Sequence, residues 1–440
     1  MVNFKELKEK INEAEGVLNK LAEKNILIKP TPFIKSHTLS VISECNLFLK
    51  CEVFQTTGSF KIRGAYYKLH KLSKLNKVKE VVAASAGNHA QGVAFAAKQL
   101  GLRATIFVPK DAPSFKLKAI RDYGANVKEA KSLKEAMESA KDYAKKPGYS
   151  FIHPFNDLDI IAGQGTIGLE IHDQLSRQLG KDNLKDEDFT VVVPVGGGGL
   201  ISGIAFSLKE MRGCKKAKIV GVQSLAAPSM IKAFSAKKVV ALSDKEFRDT
   251  IADGIHVREV GKNNFEIRTK YVDEVVTVDD MEIAKAIYLL LVRKKIIAEG
   301  AGAASLAAII QGKLEKYVKD KNVVAVISGG NIDLSLLSST ILQQHARAEF
   351  IFRLEGKLAD KPGSLAEVCT IIKEKNGNII SIFEDRVRGD LTPRIVFVSI
   401  CVEVLGIKEA GDTRDQILNA LGDTGHDFKV LEIFGASVQR

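Results

Sequence analysis

The chain has 440 residues, of which 45% are hydrophobic and 27% charged, and its formal net charge is +12. These values are typical of a folded protein of roughly two or three domains, and the basic residues lack the interleaved aromatics of a nucleic-acid-binding module. The sequence has no apolar stretch of about 18 residues and no signal-peptide pattern, so we expect a cytoplasmic protein without a membrane span.

Between about residue 80 and residue 335, short apolar runs alternate with amphipathic segments of helical spacing. The apolar runs are EVVAAS, RATIFVP, SFIHPF, FTVVVPV, AKIVGVQ, EVVTVDD and VVAVISGG. This alternation predicts an α/β fold whose mostly parallel strands are buried on both faces. The segment is long enough for two such sheets, which predicts two lobes with a cleft between them.

After about residue 346 the pattern changes to the order βαββαβ, which is the ferredoxin-like arrangement. The predicted strands are EFIFRLEGKL, NIISIFEDRV, RIVFVSICVEV and FKVLEIF, and the predicted helices are KPGSLAEVCTIIKEKNG and DTRDQILNALG. The segment STILQQHARA, which precedes them, is predicted to be a short linker.

Four consecutive glycines, Gly196, Gly197, Gly198 and Gly199, lie between an apolar strand and an amphipathic helix in VVVPVGGGGLISG. Glycines allow several backbone N–H groups to converge on an anion, and the helix dipole favours negative charge at the same place. A loop that is merely flexible seldom has this position between a buried strand and a helix. We therefore predict a phosphate-binding loop.

A lysine lies at the point where a Gly-Ser turn becomes a helix in TTGSFKIRGA. The partial positive charge at a helix start disfavours the ammonium form of this residue, Lys61. A lysine amine whose pKa is lowered in this way can condense with an aldehyde.

Two further polar turns follow predicted strands, where open α/β sheets bind their ligands. In AASAGNHAQG, Asn88 offers an amide to a ring substituent, and in AVISGGNID, Ser328 offers a hydroxyl to a ring nitrogen. Each turn alone is a weak signal. Together with Lys61 and the four glycines, they predict a site for pyridoxal phosphate held as a Schiff base.

Several segments resemble the threonine dehydratase (threonine ammonia-lyase) family and follow its order along the chain. They are TTGSFKIRGA, SAGNHAQGVA, IAGQGTIGLEI, PVGGGGLISG, IADGI, EGAGA and SGGNID. The resemblance covers roughly residues 25 to 335 and implies a pyridoxal phosphate enzyme with the two-lobed tryptophan synthase β-subunit-like fold.

The C-terminal part, which opens with ADKPGSLAEV, resembles an ACT domain, a ferredoxin-like amino-acid sensor. The two resemblances together imply a catalytic domain over residues 1–345 and an ACT regulatory domain over residues 346–440. The smaller catalytic lobe is expected at about residues 55–155, inserted in the larger lobe.

The resemblance also implies roles for individual residues. Lys61 matches the Schiff-base lysine, and Phe60 matches the aromatic residue beside it. Asn88 matches the partner of the cofactor's 3′-oxygen, and Ser328 matches the partner of its pyridine nitrogen. Gly196 to Gly199 match the family's phosphate loop.

A second set of residues is placed by the resemblance around the substrate. Ser85, Gly87 and His89 lie on the loop that takes the substrate carboxylate in the family. Glu299, in EGAGA, lies near the cofactor in the family, and its role in this chain is left open.

No metal site is predicted. The family's divalent-ion site, where present, uses acidic residues at positions that are Gln223 and Ser229 in this sequence. A monovalent cation held by carbonyl groups stays open. The five cysteines are scattered and show neither disulfide nor zinc-ligand spacing, so we expect free thiols.

The implied reaction is β-elimination from L-threonine, and also from L-serine, to 2-oxobutanoate or pyruvate and ammonia. Within the same fold, the alternative is a serine-preferring dehydratase or a serine racemase. Racemases of this fold carry a second serine in the loop where this chain has Ala86, which disfavours racemisation. An amino-acid-binding sensor with a vestigial catalytic domain is the alternative from a different class.

The ACT resemblance implies allosteric control by an amino acid. Feedback by isoleucine would indicate a biosynthetic enzyme, and no response or another effector would indicate a degradative one. The other interpretation is that this domain serves only oligomerisation. A homo-oligomer, either dimer or tetramer, is what the resemblance implies.

Overall fold

The computed structural model describes residues 1–75, 77–404 and 410–431. The chain divides into two compact units, of which the first spans Met1–Asp333 and the second begins at Leu334. The predicted domain boundary after residue 345 stays a prediction. Within the described ranges, no helix is long and apolar enough to cross a membrane.

The first unit contains thirteen α-helices and ten strands among its described residues. The helices are α1 Phe4–Glu23, α2 His37–Ile42, α3 Lys61–Ser73, α4 Asn88–Gln99, α5 Ser114–Asp122, α6 Leu133–Tyr143, α7 Leu158–Leu179, α8 Gly199–Phe206, α9 Ser229–Ser235, α10 Lys262–Tyr271, α11 Asp280–Leu289, α12 Gly300–Ile310 and α13 Glu315–Val318. The strands are β1 Phe33–Lys35, β2 Asn46–Cys51, β3 Glu80–Ala84, β4 Arg103–Pro109, β5 Asn126–Ala130, β6 Tyr149–Phe151, β7 Phe189–Pro194, β8 Lys218–Ser224, β9 Glu274–Val278 and β10 Asn322–Ile327.

The larger sheet of this unit has the order β1-β2-β10-β7-β8-β9. All neighbouring strands pair in parallel except β1 and β2, which are antiparallel. The predicted α/β class with a mostly parallel sheet is therefore confirmed. Strand β7 is buried along its whole length, as expected for a parallel strand covered by helices on both faces.

The sequence analysis did not predict β2, although β2 pairs with β10 over its full length. Its sequence, NLFLKC, contains Lys50, whose side chain is completely buried. Lysine is rarely buried unless it is paired, so a lysine in a short run argues against a central strand. The partners that make Lys50 acceptable come from distant parts of the chain.

The smaller sheet has the order β5-β4-β3-β6, and all of its strands are parallel. It lies between β2 and β7 in the chain, so its strands are inserted into the sequence of the larger sheet. The edge strand β5, NVKEA, was also missed, because three of its five residues are polar and only its last residue is buried.

Helix α3 packs against α7 with unusually close backbone contact. A Cβ atom added to Gly163 of α7 would lie 2.5 Å from the Cα of Gly64 in α3. Helix α7 begins at an Asp157 side chain that accepts the Asp159 N–H at 2.8 Å, and it ends at Gly180 in the left-handed conformation. The close approach of the two helices fixes the position of the first turn of α3.

A buried ion-pair network holds the same turn. Arg63 lies on α3 and is fully buried, and its guanidinium donates to Glu52 at 2.8 and 2.9 Å. It also donates to Glu170 of α7 at 2.6 and 3.0 Å. Lys50 donates to Glu170 at 2.6 Å. Positive charge from Arg63 and Lys50 holds the pKa of Glu170 down, at about 2, against the opposing effect of burial.

The second unit contains helix α14 Leu334–Arg347, followed by β11 Ile351–Ala359, α15 Ser364–Glu374, β12 Gly377–Asp385, β13 Ile395–Val404, α16 Ala410–Asp423 and β14 Phe428–Leu431. Most of the predicted linker STILQQHARA therefore belongs to a helix. The four strands form an antiparallel sheet of order β12-β13-β11-β14, and the elements after α14 follow the predicted order βαββαβ. The last three residues of the predicted strand FKVLEIF lie outside the described residues.

We predict that Arg63→Met lowers the free energy of unfolding by about 3–5 kcal/mol, because it leaves two buried carboxylates without their main partner. Urea unfolding at neutral pH measures the change. The loss should shrink in acid, where protonation of the carboxylates removes the unpaired charge. The control is Arg103→Met, since that guanidinium is largely exposed and lies 3.6 Å from Glu80. The Arg103 variant should lose less than about 1 kcal/mol of unfolding free energy. An equally small loss in the Arg63 variant would contradict the prediction.

Candidate active site

The loop before α3 is tied to the loop that follows β10. The Phe60 N–H donates to the Ser328 carbonyl at 3.1 Å, and the Gly330 N–H donates to the Gly58 carbonyl at 2.9 Å. Ser59 and Gly329 form a β-bridge between these two bonds. The structure therefore brings the first residue of α3, Lys61, next to Ser328, although the two lie far apart in the sequence.

The Lys61 amine has few polar neighbours. It donates to the Pro154 carbonyl at 3.1 Å and lies 5.2 Å from the centre of the Phe60 ring. Burial lowers the pKa of Lys61 to about 8, and the negative charge of Glu299 opposes this shift. The sequence analysis ascribed the lowered pKa to the helix start, whereas the largest cause here is removal from water. A substantial fraction of the amine is therefore neutral in mildly alkaline solution.

Asn88 is the first residue of α4, directly after the turn that ends β3. Its side-chain Nδ2 donates to Glu299 Oε1 at 2.6 Å, and its Oδ1 accepts from Asn331 Nδ2 at 2.7 Å. Asn331 also donates to the Thr57 carbonyl at 2.9 Å. The amide of Asn88 is thus fixed in orientation and connected to the loop that carries Lys61.

The turn from β3 to α4 has a set of available backbone donors. The Ser85 hydroxyl accepts the Gly87 N–H at 3.1 Å, and the first intrahelical bond of α4 runs from Gln91 to Gly87. The N–H groups of residues 88–90 precede that bond and have no acceptor among the residues that the structure describes. Three N–H groups at a helix start favour a carboxylate.

The His89 side chain points away from these donors. It is buried, and its Nε2 lies 3.0 Å from the Ile152 carbonyl. Burial lowers the pKa of His89 to about 3, so the ring is neutral and Nε2 carries the proton that it donates. If His89 contributes to carboxylate binding, it does so through its backbone N–H.

The tetraglycine segment forms a concave turn at the start of α8. Gly198 has a φ of +94°, which only glycine adopts readily. A Cβ atom added to Gly197 would overlap the Phe155 ring. The first intrahelical bond runs from the Ser202 N–H to the Gly198 carbonyl, and in the described parts of the chain the N–H groups of residues 196–201 have no acceptor.

These six consecutive donors, together with the mostly buried glycines, fit a phosphate group. The Ser328 hydroxyl likewise has no hydrogen-bond partner among the described side chains and main chain, although Ser328 is only 4% exposed. The donor set and the poorly paired Lys61 amine fit the phosphate, ring nitrogen and aldehyde of pyridoxal phosphate.

Glu299 connects the two halves of the site. Its N–H donates to the Gly329 carbonyl at 3.1 Å, and its carboxylate accepts from Asn88. Burial raises the pKa of Glu299 to about 7, and the charge of Asp253 acts in the same direction. Asp253 in turn accepts from Lys116 of α5 at 2.5 Å, so a second ion pair lies close to the site.

Sequence reasoning missed three residues that shape the site. Asn331 falls in the quoted segment SGGNID, where its position after Ser328 was a usable signal. Asn264 lies in the polar helix α10 and gave no signal. Phe155 lies two residues after His153, whose Nδ1 accepts the N–H groups of Phe155 and Asn156 at 3.2 and 2.9 Å. His153 therefore caps a turn.

The positions of the family's divalent-ion site are occupied by a hydrogen-bonded pair. Gln223 Oε1 accepts the N–H groups of Met230 and Ile231 at 2.9 and 3.1 Å, and Gln223 Nε2 donates to Ser229 Oγ at 3.3 Å. The amide thus satisfies N–H groups at the start of α9. Among the described residues, no cluster of three or more His, Cys, Asp or Glu side chains has metal-binding geometry.

We predict that Glu299→Gln changes how stability depends on pH. Because the pKa of Glu299 is raised from 4.5 to about 7, the folded chain binds this proton more tightly than the unfolded chain. The contribution of this group to stability therefore falls as the pH rises between these two values. Relative to the parent, Glu299→Gln should gain up to about 3 kcal/mol in unfolding free energy between pH 5 and pH 8.

Urea unfolding of the cofactor-free chain at the two pH values measures this gain. Glu44→Gln is the control, because the Glu44 side chain is 72% exposed. Equal pH trends for the Glu299 and Glu44 variants would show that Glu299 titrates normally.

Comparisons with known proteins identify the family of this chain. The model of the family described as "Pyridoxal-phosphate dependent enzyme" matches residues 25–329. The L-threonine ammonia-lyase of Thermotoga maritima is 44% identical over 427 residues, which cover 96% of this chain and 99% of that protein. A catabolic L-threonine dehydratase of Staphylococcus aureus is 45% identical over 331 residues, covering 74% of this chain and 91% of the relative.

Solved structures of other proteins are also similar to this chain. The processed form of threonine deaminase isoform 2 from Solanum lycopersicum has a TM-score of 0.67 and 35% identity, covering 77% of this chain and 93% of that one. Serine racemase from Dictyostelium discoideum has a TM-score of 0.64 and 35% identity, covering 74% of this chain and 98% of that one. The family match covers more than half of the chain, and the chain belongs to the pyridoxal-phosphate dependent enzymes.

Proposed function

We propose that this protein is a threonine ammonia-lyase, which converts L-threonine to 2-oxobutanoate and ammonia and also accepts L-serine. The observation that carries the proposal is the 44% identity to the Thermotoga maritima enzyme over almost the full length of both chains. The arrangement of Lys61, Asn88, Ser328 and the tetraglycine turn supports it. An intact site of this kind is unexpected in a sensor with a vestigial catalytic domain.

Lys61 is the proposed catalytic base. Pyridoxal phosphate, when bound, supplies an aldehyde that bonds to amines and a ring that stabilises negative charge on the α-carbon of an amino acid. The lysine side chain starts from a helix whose position is fixed by the Arg63 network and by the loop after β10. Because burial lowers its pKa to about 8, Lys61 can take up the α-proton near neutral pH.

The remaining groups orient the substrate and the cofactor. We assign the substrate carboxylate to the N–H groups at the start of α4, in the loop of Ser85, Gly87 and His89. Asn88 and Ser328 are assigned to the two polar edges of the ring. A neutral hydroxyl such as that of Ser328 would hold the ring nitrogen without forcing a proton onto it, and an unprotonated ring would favour expulsion of the β-hydroxyl.

Serine racemisation is the second candidate. It is favoured by the likeness to solved serine racemases from Dictyostelium discoideum and maize, at 35% and 31% identity. Against it, Ala86 presents only a methyl group in the turn before α4 and cannot deliver a proton to the second face of the substrate. The two activities differ in substrate and product, so one set of assays separates them.

We predict that L-threonine gives 2-oxobutanoate with a higher kcat/KM than L-serine gives pyruvate, and that D-serine formation from L-serine is at least about tenfold slower than elimination. Chromatography on a chiral phase and a coupled assay of the 2-oxo acids measure these rates. Lys61→Ala serves as the control for background reaction of free pyridoxal phosphate. Faster formation of D-serine than of pyruvate would support the racemase instead.

We also propose that residues 346–440 form an ACT domain that binds an amino-acid effector where two copies pair. The antiparallel sheet and its βαββαβ order support this, and helix α15 starts at Ser364, within the segment ADKPGSLAEV that carries the ACT resemblance. Strand β12 is an edge strand that exposes Ile380, Ile382 and Phe383, by 46%, 39% and 64%. An apolar sheet edge of this kind favours pairing with a second chain.

We predict that a chain ending at residue 345 keeps its cofactor and its turnover of L-threonine but loses any response to isoleucine or another amino-acid effector. The reason is that the residues assigned to the cofactor all lie before Asp333, within the first compact unit. Activity with and without effector, and light scattering for mass, measure the outcome. Loss of the cofactor absorbance on truncation would contradict this division of roles.

A further inference from the structure

Asn264, on helix α10, is fully buried beside the tetraglycine turn. Its side-chain Nδ2 donates to the Gly197 carbonyl at 2.7 Å and to the Phe155 carbonyl at 3.1 Å. Its Oδ1 has no hydrogen-bond partner among the described residues. The amide is therefore held in place by its two donated bonds, at the cost of one unpaired buried oxygen.

The bond to the Gly197 carbonyl orients the N–H group of Gly198. The Gly197 carbonyl shares a planar, trans peptide group with the Gly198 N–H, and in such a group the two bonds point in opposite directions. Asn264 and the Gly261 N–H, which donates at 3.1 Å, both hold the carbonyl on one side. The Gly198 N–H is thereby directed to the other side of the turn.

The bond to Phe155 fixes the wall of the same turn. The Phe155 ring fills the space that a side chain at Gly197 would take, and a Cβ atom added to Gly199 would lie 3.1 Å from the Phe155 carbonyl. Asn264 thus connects the glycine turn to the segment that packs over it. If the amide were lost, the peptide plane and the wall would both be free to move.

We propose that Asn264 is a positioning residue for the phosphate cradle, and that its amide gives the chain much of its preference for pyridoxal phosphate over unphosphorylated pyridoxal. The inference rests on the proposed assignment of Gly196 to Gly199 to the cofactor phosphate. Asn264 itself touches only protein groups. Its effect is transmitted through the orientation of the Gly197–Gly198 peptide.

The test compares the affinities of the variant Asn264→Asp for the two forms of the cofactor, by absorbance titration of the cofactor-free chain. This change keeps the shape of the side chain and replaces the amide NH₂ group, which donates both bonds, with an acceptor oxygen. The dissociation constant for pyridoxal phosphate should rise by about tenfold or more, and that for pyridoxal by less than about twofold. Thermal unfolding of the cofactor-free variant checks that it is folded.

Asn263→Asp is the matched control. Asn263 is the preceding residue of α10, and its side chain makes no hydrogen bond to the described part of the chain. The Asn263→Asp substitution introduces the same negative charge one residue away, so a general electrostatic effect would appear in both variants. We expect the Asn263 variant to bind both forms of the cofactor like the parent.

If Asn264→Asp does not fold, Asn264→Ser keeps one donor and should show a smaller, still phosphate-selective loss. Equal weakening for pyridoxal phosphate and pyridoxal, or no weakening for either, would overturn the inference. A parent chain that binds neither form would instead remove the proposed function on which the inference depends. Binding of pyridoxal phosphate by the parent and selective loss in the variant would support both.

Discussion

The hydrogen bond from the Phe60 N–H to the Ser328 carbonyl, 3.1 Å long, joins the start of α3 to the end of β10. The proposed roles of Lys61, Ser328 and Asn88 depend on this junction. It places the start of α3 beside the residue that follows β10, and the adjoining Asn331 side chain extends the same connection to Asn88. Parallel strands end at the same edge of a sheet, and the loops that meet there carry the functional groups.

Charge is distributed in two different ways around this junction. Below the first turn of α3, Arg63 and its carboxylates are fully paired, which makes the turn rigid. At the site itself, the Lys61 amine and the Glu299 carboxyl are buried with little compensation, and their pKa values move toward neutrality, to about 8 and about 7. The Arg63 ion-pair network thus supports a site in which Lys61 and Glu299 have pKa values suited to proton transfer near neutral pH.

The sequence predicted those parts of the site that have local signals. Lys61 at a helix start and the four glycines after an apolar strand have meanings that do not depend on distant residues. Arg63, Asn264 and Asn331 each bond to a partner about 70 to 270 residues away, as with Arg63 and Glu170 or Asn331 and Thr57, and no local pattern reveals such a partner. Strand β2 was missed for the same reason, because Lys50 is acceptable only with its distant carboxylate.

We propose that one amine, that of Lys61, bonds covalently to the aldehyde of pyridoxal phosphate. Reduction of the loaded protein with borohydride, followed by peptide mass spectrometry, tests it directly. We predict a single modified peptide that carries the reduced pyridoxyl group on Lys61, and no such peptide from Lys61→Ala. Stoichiometric modification of a different lysine, with Lys61 unmodified, would contradict it.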